Sequence, residues 1–152
     1  FGRTGAGTGR RGGGQSPSGV RMSEVQASAG TLYELLGGES GVWLLVDRFY
    51  NVMDSDPRVA PLRGIHPPDL ESSRQKLFMF LSGWTGGPDL FVQAFGHPRL
   101  RMRHMPFAVD ESMRDQWMLC MGEALDGLEL EDTLRQRLYQ ALWDLADFMR
   151  NR

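Results

Sequence analysis

At 152 residues the chain suits one domain with a tail and is too short for two. Hydrophobic residues make up 41% and charged ones 24%, close to the soluble globular average, so a packed core is available, and no apolar run nears the ~18 residues of a membrane span. The net charge of -2 argues against a nucleic-acid-binding domain, which needs clustered Lys and Arg, and the single cysteine, Cys120, excludes an internal disulfide or a zinc site of several thiolates.

Residues 1–29 are rich in Gly, Ser and Arg and poor in apolar side chains, so they are expected to be disordered, with the folded domain spanning 30–152. Arg3, Arg10, Arg11 and Arg21 against Glu24 give this tail +3 and leave -5 on the remainder. The tail holds no long apolar run with a cleavage-like site, and Met22 is a candidate natural start. With one free thiol, a reducing, cytoplasmic location is the simplest expectation.

Thr31-Leu-Tyr-Glu34 fits a capping box and opens a short helix that Gly37-Gly38 ends. Val42, Val46, Phe49, Tyr50 and Met53 then recur at helical spacing up to Asp54-Ser-Asp-Pro57. After a proline-rich stretch, Asp69 can cap a helix with Leu70, Ser73, Leu77, Phe80, Leu81 and Trp84 on one side, stopped by Gly86-Gly87-Pro88. Residues 99–104, Arg-Leu-Arg-Met-Arg-His, alternate like a strand, but no other segment alternates well enough to pair with them, so a short helix or turn is expected. Asp110 opens a helix with Met113, Trp117, Cys120, Met121, Ala124 and Leu128 in register, and a last helix aligns Leu134, Leu138, Ala141, Leu145 and Phe148. The class is all-α.

Three histidines could carry chemistry. His97 precedes Pro98, which favours a loop or capping role, and His66 sits before a proline pair, where a surface histidine is the default. His104, between Arg103 and Met105-Pro106-Phe107, stands evenly between a ligand and a structural residue. Tyr50 and Trp117 fall on apolar faces, where they are either plain core aromatics or donors facing a cavity, since a buried O–H or N–H needs a partner. Zinc spacings, phosphate-cradling loops, paired carboxylates and a serine nucleophile set find no support.

Taken together, several motifs resemble the truncated haemoglobins, specifically their second group, over nearly the whole body from Thr31 to Asn151. They are Gly37-Gly38-Glu39, Phe49-Tyr50, Lys76-Leu77, Phe80-Leu81 and Gly86-Gly87-Pro88. The most specific is Gly96-His97-Pro98-Arg99-Leu100-Arg101-Met102-Arg103-His104-Met105-Pro106-Phe107, followed by Arg114-Asp115-Gln116-Trp117.

This resemblance implies a two-over-two helical sandwich enclosing haem b, with His104 as the axial iron ligand. It further implies Tyr50, Trp117 and His66 as distal hydrogen-bond donors, Lys76 and Arg103 as propionate partners, and Ser73, Leu77, Phe80, Trp84 and Phe107 as pocket wall. His97 then has no ligand role. The function implied is binding of oxygen, or of nitric oxide, carbon monoxide or peroxide, with a reductant as further partner and neither nucleic acid nor membrane involved. The alternatives are a peroxidase or a nitric oxide and oxygen redox enzyme on the same haem, and, from another class, a haem-free helical interaction module.

Overall fold

The computed structural model describes residues 30–152, so the disorder expected for 1–29 lies outside the described residues. The helices are α1 (Leu32–Leu36), α2 (Gly38–Ser55), α3 (Ala60–Gly64), α4 (Glu71–Trp84), α5 (Leu90–Phe95), α6 (Leu100–His104), α7 (Glu111–Asp126) and α8 (Asp132–Phe148), with a 3-10 turn at Pro57–Val59. No strand occurs among the described residues, and none of their helices is long and apolar enough to cross a membrane.

Local chemistry sets the helix ends. The Thr31 hydroxyl accepts the Glu34 amide at 3.2 Å while the Glu34 carboxylate accepts the Thr31 amide at 3.2 Å, so the capping box is formed. Gly37 takes a left-handed φ of 109°, which turns the chain directly from α1 into α2. A Cβ at Gly41 would run into the Leu36 carbonyl, so that close approach requires glycine. Asp110 caps α7 by accepting the Met113 amide at 2.9 Å. The alternating residues near His104 form the short helix α6, since no strand is there to pair with them among the described residues.

The core is centred on α2, whose Val42, Leu45, Val46, Phe49, Tyr50 and Met53 are all buried. One side of α2 packs on α4 and another on α7, and α7 in turn packs on α8, so two helix pairs are joined along α2 and α7.

Two helix faces differ from expectation. In α8 the buried row is Leu134, Leu138, Leu142 and Ala146, whereas Ala141 and Leu145 are half-buried and Phe148 is 61% exposed. The contact follows the i, i+4 ridge of the helix, and three-residue steps along the sequence drift off it. In α4, Phe78 and Ser82 are buried although they lie off the expected stripe. Phe78 stacks on Trp43 at 4.0 Å, and the Ser82 hydroxyl donates to the Pro88 carbonyl at 2.7 Å, so α4 is covered on two sides.

Candidate functional site

The site residues fall in two groups. The first is built on α2 and α7. Phe49 lies at its centre, with the Tyr50 ring edge-on at 4.9 Å and the Trp117 ring at 5.2 Å. His66, in the loop after α3, places its ring 6.1 Å from Tyr50. The Tyr50 hydroxyl donates to the Ser73 carbonyl at 3.3 Å, which ties α2 to the start of α4. Burial raises the Tyr50 pKa well above the ordinary tyrosine value, against the opposing charge of Arg74, so the side chain stays a phenol that can donate. Trp117 is half-buried, and no protein group takes its indole N–H among the described residues.

The second group lies along α5 and α6. The nine exposed large apolar side chains among the described residues include Val92, Phe95, Met102, Met105 and Phe107, five of them within one short stretch of chain. Such a concentration marks a surface shaped to be covered. Lys76 sets its ammonium 5.9 Å over the Phe95 ring, and Arg103 sets its guanidinium 5.3 Å over Phe91. Arg103 also donates to the Pro98 carbonyl at 2.6 Å. Phe80 is buried and meets Phe91 edge-on at 6.4 Å, while Leu77 and Trp84 are half-buried against the core.

His104 and His66 connect the groups. The Nδ1 of His104 lies 2.7 Å from the Leu100 carbonyl, and that of His66 lies 2.9 Å from the Leu62 carbonyl. A carbonyl only accepts, so each Nδ1 carries a proton, and in the neutral form of such a ring the lone pair lies on Nε2. The His66 pKa is lowered, first by burial and further by Arg63 and by the charge of His104, while its bond to Leu62 opposes the shift. His97 is elsewhere engaged: it lies in the loop before α6, where its Nδ1 accepts the Arg99 amide at 3.1 Å without capping the helix.

Several contributors carried no clear sequence signal. Arg74 lies 5.6 Å over the Tyr50 ring and pairs with Asp47 at 3.0 Å. The Gln116 side chain accepts the Leu62 amide at 3.0 Å, so α7 holds the same turn whose carbonyl holds His66. Phe91 and Phe95 were visible only as an aromatic pair at i, i+4.

The donor set suits haem better than a bare ion. Among the described residues no three His, Cys, Asp or Glu side chains gather to hold a metal, and one imidazole gives a metal one bond. An ion held by His104 must bring its other ligands with it, as iron does in a porphyrin. The exposed apolar side chains fit a porphyrin plane, and the Lys76 and Arg103 cations fit its carboxylates.

A family model described as bacterial-like globin matches residues 31–151. The group 2 truncated hemoglobin YjbI of Bacillus subtilis is 39% identical over 119 residues, covering 78% of this chain and 87% of that protein. The solved structure of a cold-adapted truncated hemoglobin from the Antarctic marine bacterium Pseudoalteromonas haloplanktis superposes with a TM-score of 0.79 at 50% identity, covering 80% of this chain and 98% of that one. A truncated oxygen-avid haemoglobin from Bacillus subtilis gives a TM-score of 0.72 at 38% identity, covering 80% and 99% respectively.

Proposed function

This chain belongs to the bacterial-like globin family, in its group II truncated branch, and we propose that it takes haem b on His104 and holds oxygen through hydrogen bonds from Tyr50 and Trp117. The observation that carries the reading is the His104 ring, whose Nδ1–H is held by Leu100 while Nε2 is left as a lone pair beside exposed apolar side chains. Haem, once bound, supplies an iron at which a small diatomic ligand can be held.

Each protein group has a role that follows from its chemistry. The bond from His104 to Leu100 fixes the tautomer and orients the ring, and it makes Nε2 a better electron donor. Lys76 and Arg103 set positive charge at the rim, suited to propionate carboxylates, while Leu77, Phe80, Trp84 and Phe107 offer apolar surface to the macrocycle. Trp117 brings an uncommitted N–H to the distal side, and Tyr50 brings an O–H that must turn from the Ser73 carbonyl to reach a ligand. His66 has committed its proton to Leu62, so it presents an acceptor there and donates only when protonated. Ser73, half-buried on α4, is tied to Tyr50 through its backbone carbonyl and carries only a small side chain.

A ligand with partial negative charge gains about 1.5 to 3 kcal/mol from each charge-assisted hydrogen bond. As about 1.4 kcal/mol is tenfold, two such donors slow ligand escape by orders of magnitude. That suits storage, sensing or redox chemistry better than bulk transport, and the oxygen-avid Bacillus subtilis structure agrees with it. The test is the purified protein's spectrum: an intense blue haem band is expected in the parent chain and in His97→Ala, and it should be lost in His104→Ala. A haem-free parent chain would favour the helical interaction module instead.

A further inference from the structure

We infer that Asn151 is a positioning residue for the His104 bond to iron, acting through the turn that follows α6; the inference rests on the haem reading above. The helix carrying His104 is poorly anchored by packing. None of its residues is buried, and only Leu100 packs, half-buried, against the core. Something other than hydrophobic contact must hold that helix at a fixed height.

The Asn151 side chain supplies it. Its Nδ2 donates to the His104 carbonyl at 3.2 Å and to the Phe107 carbonyl at 3.0 Å, using both amide protons. Its Oδ1 accepts the Val109 amide at 2.9 Å, and its own amide donates to the Val109 carbonyl at 2.9 Å. One residue thus closes four hydrogen bonds onto the segment from His104 to Val109. Adjacent to it, Arg101 on α6 donates to the Arg150 carbonyl at 3.2 Å.

Beside the clasp, the end of α8 is held to the core by separate bonds. Asp147 accepts from Arg114 of α7 at 2.8 Å and from Arg150 at 2.8 Å, and these bonds lower its pKa below the usual carboxylate value. The Arg114 guanidinium lies 4.8 Å over Trp143, and both Val109 and Met149 are buried. The bonds that reach the backbone of His104 and the turn after it are those of Asn151 alone, and the Asp147 cluster stabilises the neighbouring end of α8. With the ring also held on Leu100, the clasp sets the height and tilt at which Nε2 meets the iron.

Three variants of the haem-loaded full chain test this: Asn151→Ala, Asn151→Asp and Arg150→Ala. Asn151→Asp keeps the size and the acceptor for Val109 but removes both donors and sets an anion against two carbonyls. Arg150→Ala weakens the neighbouring ion pair and leaves every Asn151 bond in place. The readouts are the iron–histidine stretching band of the ferrous, ligand-free protein by resonance Raman and the rate of haem transfer to apomyoglobin. Both Asn151 variants should shift or broaden the band and lose haem about tenfold faster, as expected for two hydrogen bonds of ordinary net strength. Arg150→Ala should keep the parent band even where its melting temperature falls as far.

An unmoved band with haem loss within twofold of the parent overturns the inference, and so does an equal change in Arg150→Ala. Failure of both Asn151 variants to fold, with Arg150→Ala folded, would make Asn151 a general folding residue and overturn it too. The haem reading fails separately, if the parent has no iron–histidine band or if His104→Ala retains it.

Discussion

The two sides of the site are built by different means. The side we propose as distal belongs to the protein core: Tyr50 lies in a helix with six buried side chains, and Trp117 packs on Phe49, which has no exposed surface. The side we propose as proximal is α6, with none of its residues buried and with Met102 at 57% exposure. Packing therefore preforms the donor side, whereas hydrogen bonds from capping groups and from Asn151 hold the histidine side, together with apolar surface that a haem would cover. Local stability should be high at one wall and low at the other.

Breaking the proximal side should give the largest effect. His104→Ala removes the proposed axial group and should abolish stable haem incorporation, read as the loss of the blue band, while His97→Ala should retain it because that ring only accepts the Arg99 amide within its loop. Distal changes should act on ligand release and spare haem binding. Tyr50→Phe and Trp117→Phe keep most of the apolar volume and delete one donor each, so each should speed oxygen dissociation about tenfold or more in rapid mixing. Carbon monoxide, with less charge on its outer atom, should respond less, and the double variant should depart from additivity if both donors share one ligand oxygen.

In α8 the comparison sharpens into a difference between neighbours. Leu142→Ala should destabilise by about 2 to 5 kcal/mol and Phe148→Ala by about 0.5 kcal/mol or less, measured by denaturant unfolding, because Leu142 is 1% exposed and Phe148 61%. The smallest effect is one of pH. His66 has a lowered pKa in the fold, so below the ordinary histidine value of 6.5 the unfolded chain takes the proton first. Its contribution to stability is complete above that value and declines as pH falls through it toward the folded pKa. A His66→Gln variant should flatten this part of the stability curve, and an unchanged slope would contradict the assignment.

What the sequence made legible follows the same division. The capping box at Thr31, the cap at Asp110 and the buried face of α2 rest on residues a few positions apart, so local pattern was sufficient. The helical state of α6 was legible by elimination, through the lack of a partner strand. Phe78 and Ser82 were missed because their burial depends on Trp43 and Pro88, which no periodicity within α4 encodes. Asn151 left no trace for the same reason: its partners lie 42 to 47 residues away in the chain.

Amide hydrogen exchange on the haem-loaded and haem-stripped protein tests the division most directly. Removing haem should speed exchange strongly in residues 90–107, by tenfold or more, and leave the amides of α2 and α7 close to their original protection. Equal loss of protection in both regions, or none at residues 90–107, would contradict a core-built distal wall facing a haem-completed proximal one.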